Sequence, residues 1–467
     1  MVSASTPPPS ASPASAPGGS AVLARGTIAR YAAGSLGTGG FATLPGLVLV
    51  YYLTDTLGVT AALAGLIVTL AKVWDVLIDP VIGGLSDRAL ARTGTRRRAM
   101  LIGAVTLPVA FALTFAVVPG LAPGLSALWV FVAFLAAATA FSLFQVPYSA
   151  PPAATRPGSH VRSPLLSWRG VVLTLAILLF GAGGPELRGL FPDNPHLGYL
   201  VMAVIAGLVL AIGLLIGSST APRGLHAATL PQQTSLAAFY RDGVATLRAS
   251  QPFRALLLTF MLQGLATGIM LAGAQYVATW VLRDEGGVTP LFVALIAPAL
   301  LVAPLWAKLS GAIGKERAFV IASSLFAVAA LALTAMLWLP GWWILAPVAL
   351  AGAAYAGMQS LPMAMLPDVI RHDAVRRGDG RAGAFGGVWT AGETTGMAFG
   401  ATVLTIVLTL TGYLETSAGV LVEQPASAVA GIGIAFSIVP AVLMGVSILV
   451  FGRYRLRKAD LESEAAA

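Results

Sequence analysis

Three ionisable residues, Lys72, Asp75 and Asp79, stand inside the otherwise apolar run AKVWDVLIDPVIGG of a 467-residue chain. At about 100° per residue they fall on one helical face, within about 60° of each other. A charge at mid-membrane costs ~3 kcal/mol or more unless paired or hydrated, so this face must look into a protein interior or a wet cavity. Two carboxylates with a neighbouring ammonium suit a site for Na⁺ or H⁺, since hard cations take oxygen ligands and a carboxylate of raised pKa holds a proton. The same triad would also serve as a plain internal salt bridge of Lys72 with one aspartate. Ionisable groups inside a span are seldom idle, which favours coupling-ion or substrate work. Glu393 is the other carboxylate set well within an apolar run. Left unpaired in hydrocarbon it would be costly, so it is expected to face the same cavity, with Lys72 as a candidate partner. A neutral, buried carboxyl bonded to a backbone carbonyl is the alternative.

The elements that position these groups follow from composition. With 57% hydrophobic and 10% charged residues the chain is not a soluble domain. Twelve apolar windows between Tyr31 and Phe451 are each close to the ~20 residues needed to cross a bilayer. The fifth, glycine-rich window is Gly170 to Gly184. The fold class is therefore an all-α membrane protein of twelve transmembrane helices. When the connections are assigned alternately to two sides, all but three of the 28 Lys and Arg residues collect on one side, the exceptions being Lys72, Arg188 and Arg283. That asymmetry predicts a multi-pass inner (plasma) membrane protein with both termini cytoplasmic. It also accounts for the net charge of +9 without a nucleic-acid partner. The lipid bilayer is the expected surrounding and the chain is expected to act as a monomer. Cysteine is absent and the four histidines are not spaced as ligands, so no disulfide or structural metal site is expected.

Residues 1–24, rich in Pro, Ser and Ala, read as a disordered cytoplasmic tail. Residues 25–217 form a first six-helix half, 218–254 the longest connection, 255–452 a second half and 453–467 a cytoplasmic tail. Within the connection, Ser235 to Arg248 reads either as a polar linker or as a surface helix with Leu236, Phe239 and Leu247 toward lipid and Arg241 and Arg248 toward phosphates. The halves echo each other: Gln145, Pro147 and Pro152 end the fourth span, and Gln359, Pro362 and Pro367 end the tenth. Duplicated halves rocking about a central site are one architecture of alternating-access transporters.

After the second span comes GGLSDRALARTGTRRR, which resembles the loop between helices two and three of the major facilitator superfamily. Asp87, beside Arg88, is placed there to accept hydrogen bonds from arginines or a helix N-terminus and to latch the two halves. YYLTDTLG, KVWDVLIDPVIGGLSD and LPMAMLPDVIRHDAVRRGDGRAGAFGGVW together resemble the glycoside-pentoside-hexuronide:cation symporter family, over nearly the whole helical region. The resemblance implies the major facilitator fold and cation-coupled transport. It implies that Asp75 and Asp79 bind Na⁺, Li⁺ or H⁺, with Ser142 where a threonine hydroxyl would join them. It further implies that Arg169 lies near the substrate path and that Asp55 is a gating residue at the outer end of the first helix.

The chain departs from the family at the sugar site. The family's first-helix aspartate and the lysine before it are Gly39 and Thr38 here, its fourth-helix aspartate is Gln145, and its stacking tryptophan is Ser149. Glu393 or Thr394 stands where the family has an eleventh-helix lysine. The cation site is thus retained while recognition of sugar hydroxyls by paired carboxylates is not encoded in the same way. The expected function is symport of Na⁺ or H⁺ with a small organic solute, a glycoside or modified sugar by family, held by Gln145, Arg169, Lys72 and Glu393. No other cofactor is expected. A lysolipid carrier, an efflux antiporter for amphipathic compounds and a non-transporting membrane sensor are the rival readings. No nucleophile and base pair or phosphate-cradling loop points to an enzyme.

Overall fold

A computed structural model of the chain describes residues 25–149, 162–221, 236–377, 382–418, 420 and 422–456. The predicted N-terminal tail, Pro152 and Arg156, Ser235 and most of the connection before it, Gly380 and Arg381, and the tail beyond residue 456 lie outside them. The first half comprises α1 (Arg25–Tyr51), α2 (Ala61–Thr93), α3 (Arg97–Thr114), α4 (Pro123–Ser149), α5 (Arg162–Gly189) and α6 (Pro195–Ser218). A short helix α7 (Leu236–Ala249) leads to α8 (Gln251–Tyr276), α9 (Val288–Ile313), α10 (Lys315–Leu333), α11 (Leu345–Arg377) and α12 (Ala382–Leu410). The last span is broken into α13 (Ala426–Phe436) and α14 (Ile438–Phe451). Among the described residues, twelve spans are long and apolar enough to cross a membrane. This is a multi-pass membrane protein.

The two halves pack alike. In the first, α1 lies against α5 and α6, α4 against α2 and α3, and α3 against α6; in the second, α8 lies against α12 and α14, α11 against α9 and α10, and α10 against α14. Without a hydrophobic driving force between helices in lipid, such pairs depend on small residues that let backbones approach. At the α8–α12 crossing a Cβ on Gly400 would stand 2.3 Å from the Gly268 carbonyl carbon. Between halves, α2 meets α12, α5 meets α9 and α1 meets α8. There Gly65 takes the side chain of Thr405, and Thr69 hydrogen-bonds Thr402.

Among the departures from the sequence reading, three bear on packing. The fifth span runs to Gly189, beyond the predicted Gly184, because Arg188 turns inward between aromatic rings instead of ending the helix. The twelfth breaks at Ser437, three residues before Pro440, whose ring nitrogen has no hydrogen to give to the preceding turn. α7 is a helix, with Arg241 and Arg248 exposed as predicted, but Leu247 packs against the apolar core, so it does not face lipid.

The halves are closed together on the face that is poor in arginine. α1 and α8 each run into a five-residue π-helical turn, Tyr52–Thr56 and Val277–Val281. Tyr276 meets Thr54 hydroxyl to hydroxyl at 2.6 Å, Thr54 donates to Asp55 Oδ2 at 2.5 Å, and Tyr413 donates to Asp55 Oδ1 at 2.6 Å. Trp280 Nε1 in turn donates to the Tyr413 oxygen at 2.8 Å. Burial, and then the Asp55 carboxyl, push the Tyr413 hydroxyl well above the usual tyrosine range, so it remains a proton donor at neutral pH. The backbone of the loop after α12 pairs with the end of α1, Thr416 N to Thr54 O at 2.9 Å and Ala418 N to Thr56 O at 3.0 Å. Glu415 accepts from Ala61 N at 2.7 Å and caps α2 across the interface. Beside this lies Arg188, 8% exposed, which donates to the Tyr199 hydroxyl at 3.1 Å, sits over the rings of Tyr51 and Tyr199, and lies 3.8 Å from Glu285 of the second half.

Asp55 therefore joins the first half to the second, and weakening its bonds should open this face. The chain has no native cysteine, so a single Thr405→Cys reporter, buried under Gly65 in this state, reads the opening as maleimide labelling. Adding Tyr413→Phe or Asp55→Asn should speed labelling about tenfold, the equivalent of one lost charge-assisted hydrogen bond. Equal labelling rates with and without the second change would show that these bonds do not hold the face shut.

Candidate functional site: acceptor oxygens between α2 and α4

The ionisable triad lies where α2 packs against α4 in parallel register. Trp74 Nε1 donates to Thr139 Oγ1 at 2.9 Å on one side of the triad, and Gly83 meets Val146 on the other. Asp75 is 7% exposed. Lys72 Nζ is 3.2 Å from Asp75 Oδ2, one helical turn away. That pair is the internal salt bridge weighed above as the alternative to a coupling site, and it leaves the second oxygen of Asp75 unsatisfied: Asp75 Oδ1 is buried with no hydrogen-bond partner among the described residues. Asp79 Oδ1 is likewise buried without a partner, while the Ser142 hydroxyl on α4 bonds the Asp79 carboxyl. Gln145, about one turn further along α4, buries Oε1 without a partner as well.

Three buried acceptor oxygens without donors are a costly arrangement, about 1–3 kcal/mol each. A cation or a proton satisfies such a set and a hydrogen-bonding protein side chain is not supplied. Asp75, Asp79 and Ser142 have the oxygen chemistry that hard cations take; Ser142 is bonded to Asp79 across α2 and α4, and Asp75 stands one turn from Asp79 on the same helix.

Arg169, on α5, meets α4 further along, at Tyr148. Its guanidinium carbon lies 5.1 Å from the centroid of the Tyr148 ring, a cation–π contact. Tyr148 is fixed in turn by bonds to α1: its hydroxyl donates to the Tyr31 carbonyl at 2.5 Å and meets Ser35 Oγ at 3.1 Å. Gly34 gives the ring its room, since a Cβ there would lie 2.7 Å from Tyr148 Cε2. Tyr148 was not singled out from sequence. Its signal was available as the aromatic residue between Pro147 and Ser149, but only the fold shows that it, and not position 149, meets Arg169. Ser149 is exposed and bonds back to Val146 O at 2.9 Å.

At Gly39 the structure accounts for the missing carboxylate of the first helix. A Cβ there would stand 2.9 Å from the Leu173 carbonyl oxygen of α5, so the position is a helix contact with no room for a side chain. Glu393, on α12, is half-buried and close enough to Tyr355 of α11 to act on its hydroxyl electrostatically. Gln359 donates to that hydroxyl at 2.7 Å. The expected pairing of Glu393 with Lys72 is not made, because Asp75 lies on Lys72's own helix face and holds its ammonium. On the arginine-rich face Asp87 accepts from Arg96 at 2.5 Å, tying α2 to the start of α3 inside one half, while Arg88 is exposed on the same turn. Lys315 and Asp368 make the corresponding bond in the second half at 2.5 Å. Among the described residues, then, Asp87 does not bridge the halves, whereas Asp55 does so at the opposite face.

A family profile described as MFS/sugar transport protein matches residues 30–458. The glucuronide carrier protein homolog of Escherichia coli (strain K12) is 26% identical over 309 residues, 64% of this chain and 65% of that protein. A putative sulfoquinovose importer of Salmonella typhimurium is 29% identical over 177 residues, 38% of this chain and 37% of that protein. The matched stretches thus span less than two thirds of these relatives' own length. Among solved structures, a D-xylose–proton symporter superposes with a TM-score of 0.67 at 13% identity, covering 92% of this chain and 98% of that one. At that identity the likeness speaks for the fold alone, and the fold is that of the major facilitators. The chain belongs to the MFS/sugar transport protein family, in the glycoside-pentoside-hexuronide:cation symporter group of the major facilitator superfamily.

Proposed function

We propose that this protein is a secondary active transporter that couples entry of Na⁺ or H⁺ to uptake of a glycoside or modified sugar. The observation that carries the reading is the set of orphaned acceptor oxygens on Asp75 and Asp79, with the Ser142 hydroxyl beside them. A cation bound there neutralises a carboxylate that the bilayer interior makes costly, and its entry and departure give the step that couples ion to solute. Relatives named as a glucuronide carrier homolog and a glycoside/cation symporter support a sugar-like solute. The arginine-rich face is cytoplasmic in this reading, by the distribution of positive charge. Both ends of the chain are then in the cytoplasm, the membrane is the cell's inner (plasma) membrane, and a single chain completes the site.

Gln145 and Arg169 are the solute-binding groups of this proposal, the first offering a donor and an acceptor and the second a fork of donors. Asp55 serves as the outer gate, Asp87 with Arg88 as an inner one when the opposite face closes, and Glu393 lines the cavity from the second half. The chain places no carboxylate at Gly39 or position 145, so its solute is held by amide and guanidinium groups instead of by paired acids.

Gradient-driven uptake in vesicles tests the ion pair. Asp75→Asn and Asp79→Asn keep shape and one oxygen but remove a charge, and each should lower accumulation under an imposed Na⁺ or H⁺ gradient about thirtyfold, a loss of about 2 kcal/mol of ion binding. Expression and insertion should persist, because removal of a buried charge seldom harms a bundle. Undiminished accumulation in both single mutants would leave Lys72 and Asp75 as a structural bridge only. Counterflow with labelled sugars and lysolipids discriminates solute classes, since acceleration by a lysolipid alone would replace the sugar reading.

Equilibrium binding separates the two parts of the site. Gln145→Ala should weaken solute affinity about tenfold, one buried hydrogen bond to a polar ligand, and leave ion affinity within about twofold. The reverse result would assign the orphaned Gln145 oxygen to the ion.

A further inference from the structure

The outer surface of the bundle carries a groove lined by none of the ion- or solute-site residues named above. It lies between α5 and α6 toward the arginine-poor face, encloses about 390 Å³ and is lined by Leu179, Phe180, Gly183, Glu186, Ile205 and Val209 among others. Leu179 and Ile205 are exposed, and exposed apolar side chains on membrane-spanning helices face lipid. A Cβ built on Gly183 meets nothing within 4 Å, whereas Gly184 next to it is packed against Leu44. The groove is therefore open along its middle and backed by α1.

Its one ionisable residue is Glu186. That residue is exposed, in the last turn of α5, where the helix dipole disfavours an anion. Among the described residues no Lys or Arg lies within ion-pairing distance of it. Arg188, two residues on, is turned inward to Tyr51 and Tyr199 and reaches toward Glu285. An acid placed near the membrane boundary, against the dipole and beside an apolar slot of ligand-pocket size, is complementary to a lipid that brings its own cation.

We infer that this groove is a binding site for a phospholipid with a primary-ammonium headgroup, its acyl chain lying along Leu179, Gly183 and Val209 and its ammonium paired with Glu186. An ammonium donates hydrogen bonds to the carboxylate as well as charge, which a choline headgroup does not, and an anionic glycerol headgroup is repelled. The inference is independent of the solute: a chain that moved no sugar would still hold this lipid.

Native mass spectrometry of the full-length, delipidated protein tests it, with phosphatidylethanolamine, phosphatidylcholine and phosphatidylglycerol of identical chains added in equal amounts. The wild type should retain phosphatidylethanolamine about threefold or more over either competitor, the size of one exposed ion pair. Glu186→Gln should retain the three lipids equally, and Gly183→Leu, at a position where an added Cβ meets nothing within 4 Å, should fill the open middle and lose the adducts. Equal retention by the wild type, an unchanged preference in Glu186→Gln, or adducts undiminished in Gly183→Leu would each overturn the assignment. Thermal unfolding of the lipid-free variants, expected within about 2 °C of wild type, shows that a lost adduct is not a lost fold.

Discussion

Everything in this bundle is arranged around carboxylates that the bilayer cannot solvate. Hydrocarbon offers no hydrogen bond to Asp75 or Asp79, and the cost of leaving them toward lipid fixes the rotation of α2. With the triad turned inward, the helix meets α4 through Trp74 and Gly83 and meets α12 through Gly65 and Thr69. Lys72 relieves one oxygen of Asp75 and no more. What remains is a set of acceptors without a donor among the described residues, a deficit that a second lysine would have removed. A bundle selected only for stability would not keep it.

The repeated pairing of helices divides the structure into two packed halves. Each half buries its own close helix crossings, such as Gly268 against Gly400 and Gly352 against the Leu295 carbonyl. The joints between halves are different in character. They include hydroxyls, carboxyls, backbone pairs and an arginine between tyrosine rings, groups that exchange one partner for another, including water, at small net cost. The division of chemistry between the interior of a half and the seam between halves is what allows motion at the seam without loss of either half.

Much of this was legible in the sequence because membrane physics writes itself locally. The twelve spans, the common face of Lys72, Asp75 and Asp79, the match of Ser142 to Asp79 and the location of Asp55 at a helix end all follow from runs, periods and motif resemblance. What escaped depends on which helices touch. Arg188 reads as a loop residue in the sequence because hydropathy counts its charge and not its tyrosine neighbours, which places the predicted end of the fifth span too early. Tyr148 carries no weight until α1 supplies Gly34, Ser35 and the Tyr31 carbonyl around it. Lys72 and Glu393 were plausible partners on charge alone, but a turn of one's own helix is nearer than another half of the molecule. The interruption at Ser437 was hidden by uniform apolarity, although Pro440 was its cause.

The paired π-helical turns at the ends of α1 and α8 have a geometric implication for how the seam comes undone. Such a turn holds one residue more than an α turn. Rewinding it to α geometry advances the residues beyond by about one position, a rotation of about 100° and a shift of about 1.5 Å along the axis. Asp55 and Trp280 lie within these turns, so a rewinding step would turn both relative to the helices below. A local change of pitch at each tip would then reorient the groups of the seam without bending a whole span.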